Sequence, residues 1–276
     1  MMKFAVNELT TLRWSLDEEV VAYASHGFSG IGLWRPKLDD YDLDRTIELL
    51  DEHQMKVSSL SWAGGFTGSD GRGYDDAVDD GIHAVHTAAA VGAPTLLVMT
   101  GGRNNHIHGH AMRSLRDALN AIGREAERCG ISLALEPMHP GCGEEWSFVH
   151  DVRSTLEVTN SIDRGNIGLV LDSYHLGLNG VASAEENLRW LAQIVPHIRL
   201  VQLGDAKKSP IGEQNRCLLG EGIVPLPEML STLISAGYDG YFEVEILGED
   251  VEPLDYQDVL AHTRRYLDQG FSFART

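Results

Sequence analysis

Residues 115–136, LRDALNAIGREAERCGISLALE, hold one full turn of a pattern that runs through the whole chain. Leu115, Leu119 and Ile122 recur at the spacing that lines one face of a helix. Gly130 stands after that helical run, where a left-handed C-cap favours glycine. The apolar run Ser132-Leu133-Ala134-Leu135 then reads as a short buried strand, and Glu136 closes it with a carboxylate.

Outward from this unit the pattern repeats. Strands are predicted at Phe4–Val6, Gly30–Trp34, Lys56–Leu60, Thr95–Met99, Ile167–Leu171, Ile198–Gln202 and Tyr241–Ile246, which with 132–135 makes eight. Helical stretches lie between them, as at Leu188, Leu191 and Ile194, and Gly27, Gly92 and Gly237 repeat the stop signal. Ser15-Leu16-Asp17-Glu18 and Ser183-Ala184-Glu185-Glu186 read as capping boxes, and Pro227 suits a first helical turn. Eight strand-then-helix units without a linker predict a single (β/α)8 TIM barrel over residues 1–276, close to the roughly 250 residues usual for that fold. A doubly wound open sheet would carry a glycine-rich phosphate loop after its first strand, and Asn7-Glu8-Leu9-Thr10-Thr11 has no glycine.

Lys plus Arg number 22 against 41 Asp plus Glu, a net charge of −19, which argues against nucleic acid as a partner. The surplus is spread through helix starts such as Asp17-Glu18-Glu19 and Asp75-Asp76, which read as solvated faces with favourable dipole placement. No apolar run approaches the roughly 18 residues of a membrane span, and Met1 to Asn7 turns polar too soon for a secretory signal. A cytoplasmic protein with no membrane partner is expected. Cys129, Cys142 and Cys217 lack the pairing of a zinc or redox motif and read as free thiols.

In a barrel of this kind the chemistry lies where strands end. Glu136, Asp172 and Gln202 terminate apolar strands, and Glu245 lies within the last one. Three carboxylates converging in a low-dielectric cavity repel one another unless protons or a cation neutralise them. One divalent metal ion is the economical solution. Oxygen donors favour Mn2+, Mg2+ or Co2+, with Zn2+ less suited because no histidine or thiolate is in the set. Glu243 has the strand parity of Glu245 and also faces inward. Trp34 and Trp62 end strands two and three, as an aromatic wall of the site or as core. His139, close behind Glu136, is a candidate substrate contact. Asp205 either orients the metal shell or caps the next turn, and His106-Ile107-His108-Gly109-His110 forms a rim loop or a second metal cluster.

Leu135-Glu136-Pro137, Leu171-Asp172-Ser173-Tyr174-His175, Gln202-Leu203-Gly204-Asp205, the 216–222 run Arg-Cys-Leu-Leu-Gly-Glu-Gly and the 240–245 run Gly-Tyr-Phe-Glu-Val-Glu are short motifs. In this order they resemble the xylose-isomerase-like sugar phosphate isomerase/epimerase barrels. That family includes D-tagatose 3-epimerase-like enzymes, inosose dehydratases, 3-dehydroshikimate dehydratases and, more distantly, endonuclease IV. The resemblance implies that Glu136, Asp172, Gln202 and Glu245 hold the metal. It implies that Glu136 and Glu245 are also the acid/base pair, and that His175 and Arg216 bind substrate. Gln202 departs from the histidine of the epimerases, while the dehydroshikimate dehydratase branch allows glutamine.

The implied chemistry is proton abstraction next to a carbonyl through a metal-stabilised enediolate. Its outcome is epimerisation, aldose–ketose isomerisation or loss of a β-hydroxyl. The expected activity is therefore isomerase or epimerase on a small polyhydroxy carbonyl compound, a sugar or sugar phosphate. The alternative is a dehydratase (lyase) of an inosose or 3-dehydroshikimate. Behind these stand a non-catalytic sugar-binding protein and a DNA-repair endonuclease, the latter needing a basic groove and histidines where Trp34 and Trp62 stand. Barrels of this family often pair, so a homo-oligomer is compatible.

Overall fold

In the computed structural model, which describes residues 2–176, 184–209 and 214–270, eight parallel strands close into a barrel in chain order. The first half runs β1 (Lys3–Asn7), α1 (Leu16–Ser25), β2 (Gly30–Trp34), α2 (Arg35–Leu38), α3 (Leu43–Glu52), β3 (Lys56–Gly64), α4 (Tyr74–Ala90), β4 (Thr95–Met99) and α5 (His108–Cys129). The second half runs β5 (Ser132–Leu135), α6 (Pro140–Gly143), α7 (Val152–Asn160), β6 (Ile167–Asp172), α8 (Ser173–Leu176), α9 (Ala184–Ile194), β7 (Ile198–Leu203), α10 (Leu226–Ser235), β8 (Tyr241–Val244) and α11 (Tyr256–Gly270). All eight expected strands form. No described helix is long and apolar enough to cross a membrane.

Local signals act as their chemistry requires. Ser15 accepts from the Glu18 amide while the Glu18 carboxylate takes the Ser15 amide, closing the capping box of α1. The second box begins at Ser183, outside the described residues. Pro227 lies in the first turn of α10. Gly27, Gly92, Gly130 and Gly237 all have φ between 73° and 90°, the left-handed conformation that costs other residues about 1–2 kcal/mol. Asn7 caps a turn of 3-10 helix, Glu8–Thr11, through its side-chain oxygen.

Three expectations change. β3 runs on to Gly64, so Trp62 lies inside that strand rather than at its end. β8 stops at Val244, so Glu245 follows the strand rather than lying within it. Glu19 is no solvated helix charge: it is fully buried and pairs with Lys37 Nζ at 2.6 Å.

Strand alternation sorts side chains into two cores. Leu96, Val98, Leu133, Leu135, Leu169 and Leu171 pack outward against the helices, where Leu115, Leu119 and Ile122 of α5 are buried. Each such buried aliphatic side chain contributes about 2 kcal/mol. Leu97, Ala134, Val170 and Leu200 form a separate inner layer with Trp62 and Tyr241 packed on it. Two positions beyond Ala134, Val170, Leu200 and Tyr241 stand Glu136, Asp172, Gln202 and Glu243, while Met99 follows Leu97. The apolar inner layer thus becomes a floor, with polar side chains stacked above it towards the strands' C-terminal ends.

Candidate active site

Register sets the first level of the site. Asp172 pairs with Gln202 across β6 and β7, and Gln202 with Glu243 across β7 and β8. Glu136 and Glu245 come from just beyond β5 and β8, and all five side chains are buried. Gln202 Nε2 donates to Glu245 Oε2 at 2.5 Å and to Glu243 Oε1 at 3.3 Å, which leaves Gln202 Oε1 without a hydrogen-bond partner. Asp172 Oδ1 accepts the Tyr174 amide at 2.6 Å, holding its carboxylate at the start of α8.

His175 completes the group. Its Nδ1 accepts the His139 amide at 3.1 Å, so the ring proton sits on Nε2, which lies 3.8 Å from Glu136 Oε1. Burial lowers the His175 pKa to about 4, and the ring is neutral at physiological pH. Ligand atoms of Glu136, Asp172 and His175 fall within 4.8 Å of one another. His175 is nonetheless a poor metal ligand, because ligation through Nε2 would move its proton to Nδ1, against the His139 amide.

Arg216 is fully enclosed. Its Nη2 meets Asp172 Oδ2 at 2.8 Å and Glu245 Oε1 at 2.9 Å, its Nη1 donates to the Glu245 carbonyl, and the Tyr174 ring lies beneath the guanidinium. One guanidinium leaves the carboxylates undercompensated. Burial, then the Glu245 and Asp172 charges, push Glu136 well above the usual carboxylate range. Burial raises Glu245 to about 7 against the pull of Arg216. Crowded carboxyls that resist ionisation, beside a buried amide oxygen with no donor, form an all-oxygen set suited to a hard divalent cation.

Above this set opens a cavity of about 820 Å3. Trp34, Trp62, Met99, Met138 and Trp146 supply apolar wall, with the Trp62 and Trp146 rings edge-on at 5.5 Å. Glu136 and Glu245 reach it from below, while Glu144, Glu145, Glu249 and Glu252 ring it. None of its described lining residues is Lys, Arg or His. The undescribed 177–183 and 210–213 contain none either.

The expected set therefore gathers: Glu136, Asp172, Gln202 and Glu245 meet, His175 adjoins them, and Trp34 and Trp62 face the cavity. Arg216 lies behind the carboxylates rather than among the lining residues. His139 is also absent from the lining, and its ring caps α6 by accepting the Gly141 amide. Asp205 organises the turn before α10, accepting the amides of Gly220, Gly222 and Val224. The expected rim loop is partly helix: His106 precedes α5 and its Nε2 contacts the Thr67 carbonyl, whereas His108 and His110 lie in the first turn of α5, with the His106 and His110 rings 4.7 Å apart. The other described cluster within ligand reach, His86, Glu125 and Cys129 on α4 and α5, is partly exposed and held by a 3.0 Å His86–Glu125 pair. Sequence reasoning missed the acidic rim and Trp146, which lie in loops without periodicity, and the partners of Glu243.

A closed parallel barrel with polar side chains gathered above an apolar floor is the architecture of the (β/α)8 enzymes. The chain belongs to the Xylose isomerase-like TIM barrel family, whose model matches residues 20–267. An inosose isomerase of Bacillus velezensis is 26% identical over 271 residues, covering 94% of this chain and 93% of the relative. Protein SMc04130 of Sinorhizobium meliloti 1021 superposes with a TM-score of 0.86 at 23% identity, over 96% of this chain and 97% of that one. The IOLI protein, whose crystal structure has a binding zinc atom, superposes at 0.83 with 24% identity over 99% of each chain.

Proposed function

We propose that the protein is a divalent-cation-dependent isomerase or epimerase of an uncharged polyhydroxy ketone, of the inosose kind that names its Bacillus velezensis relative. The observation that carries this reading is that Glu136 and Glu245, from opposite ends of the β5–β8 arc, line one cavity directly above Asp172 and Gln202. Glu136, Asp172, Gln202 and Glu245 would hold the cation, which when bound supplies positive charge to substrate oxygens as negative charge develops on them. In the cation-free site burial raises the proton affinity of both glutamates, that of Glu245 to about 7, so both carboxylates can take up and return a proton. One takes the proton from the carbon beside the carbonyl and the other returns one, to the opposite face or to the neighbouring carbon. Nothing but the substrate is consumed. Neutral His175, fully buried and absent from the cavity lining, turns its Nε2 proton towards Glu136 and so bears on that carboxylate rather than on the substrate.

Charge narrows the substrate. A phosphate or carboxylate entering this cavity would pass Glu144, Glu145, Glu249 and Glu252 with no cationic side chain among the described lining residues, whereas hydroxyls meet carboxylate acceptors and ring faces meet tryptophan. This favours inososes and free ketoses over sugar phosphates and over 3-dehydroshikimate.

Proton NMR of the Mn2+-loaded, then Mg2+-exchanged protein in D2O, with inososes, ketoses and dehydroshikimate, tests the reading. Deuterium should enter beside the carbonyl with the carbon skeleton retained, and Glu245→Gln should slow this by about 10²–10⁴-fold. A new olefinic or deoxy product would instead make the protein a dehydratase. Absence of exchange across the panel would leave a binding protein.

A further inference from the structure

Glu243 is the carboxylate that the reaction does not use. It is fully buried in the middle of the barrel, and four strands are shaped around it. From β1, Asn7 Nδ2 donates to its Oε1 at 2.7 Å. From β3, Ser58 and Ser59 both donate to its Oε2, at 2.6 and 2.7 Å. Consecutive strand residues ordinarily face opposite ways, but the β2–β3 register shifts here, from Ile31 opposite Val57 to Gly32 opposite Ser59. The extra residue, Ser58, is thereby turned inward with its neighbour. On β2, Gly32 leaves the room: a Cβ there would lie 2.5 Å from Glu243 Cδ. From β7, Gln202 Nε2 completes the shell at 3.3 Å.

That last contact matters because the two ends of an amide are chemically opposite. A cation is attracted by Oε1 and repelled by the Nε2 protons, and rotation of the terminal torsion exchanges the two. Glu243 and Glu245 together accept both Nε2 protons, but Glu245 itself faces the cavity and meets Arg216. Glu243 has no such second duty.

We infer that Glu243 is a positioning residue, held by Asn7, Ser58 and Ser59, that fixes the Gln202 amide so that its oxygen serves as the neutral donor to the cation. This rests on the reading that the strand-end oxygens hold a divalent ion.

The test is Mn2+ titration, followed by the EPR signal of the free ion, alongside melting of the metal-free protein. Asp172→Asn reports on the underlying reading: it must abolish or strongly weaken Mn2+ binding, and unchanged binding would place the ion elsewhere and remove the basis of this inference. Given that result, Glu243→Leu should weaken Mn2+ binding about 10–100-fold, the usual effect of removing a group that orients a ligand. Glu243→Gln should stay within a few-fold of wild type, since its amide oxygen replaces the acceptor for Asn7 and Gln202 while its nitrogen donates to the serine hydroxyls. Equal losses in both variants would assign Glu243 an electrostatic role and overturn the inference, as would wild-type affinity in Glu243→Leu. If Glu243→Leu does not fold, the Ser58→Ala, Ser59→Ala double variant, which loosens the seat only, should lose affinity several-fold. Unchanged affinity in it would overturn the inference too. In nitrogen–proton spectra of the Mg2+-loaded wild type, the Gln202 amide protons should exchange slowly with solvent, and rapid exchange would count against a fixed amide.

Discussion

Glu19, in the first turn of α1, shows what an isolated residue conceals. Its neighbours Asp17 and Glu18 are exposed as a dipole-complementing helix start should be, yet Glu19 turns inward to Thr11, Lys37 and the buried Glu8. Burial and the Glu8 charge raise its pKa to about 9, and burial raises Glu8 as well, so the two carboxyls hold a proton against a single lysine at neutral pH. Between about 4.5, the unfolded value, and about 9 Glu19 binds more proton in the folded chain than in the unfolded one, so its contribution to the unfolding free energy falls as pH rises through that window. Glu19→Gln keeps the acceptor for Thr11 and Lys37 and removes the titration. Urea unfolding should show it more stable than wild type at pH 9, by about 1–3 kcal/mol, with the advantage shrinking towards pH 5. A variant that is less stable at every pH would mean that the Lys37 ion pair outweighs the buried charge. Charge and helix position alone could not reveal this, because the partners Lys37 and Glu8 come from other elements.

Elements were legible where periodicity and termini coincide. Glu136, Asp172 and Gln202 were readable as candidate site residues because each continues the inward parity of an apolar strand, a purely geometric consequence of the two-residue repeat. Parity misleads at a bulge. Ser58 and Ser59 cannot both face inward on a regular strand, and the register shift that makes them do so depends on pairing with β2. The seat of Glu243 is therefore written in four strands at once. Gly32→Ala tests how tightly it is built: the added methyl must displace the Glu243 carboxylate, at a cost of about 1–3 kcal/mol in thermal or chemical unfolding. Melting identical to wild type would show that the barrel centre yields freely. Likewise, the end of β8 at Val244 frees Glu245 from the ladder, though its amide still reaches the Leu203 carbonyl.

At the scale of the molecule the excess of negative charge is not evenly neutral in effect. It repels every anion, and Glu144, Glu145, Glu249 and Glu252 concentrate that repulsion at the cavity mouth. For a neutral ketose and its phosphorylated or carboxylated analogue, kcat/KM of the anion should be the lower and should rise with ionic strength, while that of the neutral substrate stays nearly flat. Equal salt dependence would mean that the rim does not act on the substrate. The net charge was readable from composition, but its placement around the mouth was not, since the four glutamates come from two loops with no repeating pattern.

The acidic rim also governs traffic in the other direction. Divalent ions bound as proposed would approach the strand ends down an attractive potential, whereas EDTA, itself a polyanion, would climb the same potential to reach them. Phenanthroline, which is neutral, meets no such barrier. Stripping of Co2+, which both chelators bind well, from the Co2+-loaded protein should therefore be slow with EDTA and quick with phenanthroline in dilute buffer, and the two rates should converge near 1 M salt, where the screening length shrinks to about 3 Å. The glutamates around the opening make the mouth a rectifier, open to cations and resistant to the reagents that would carry them away.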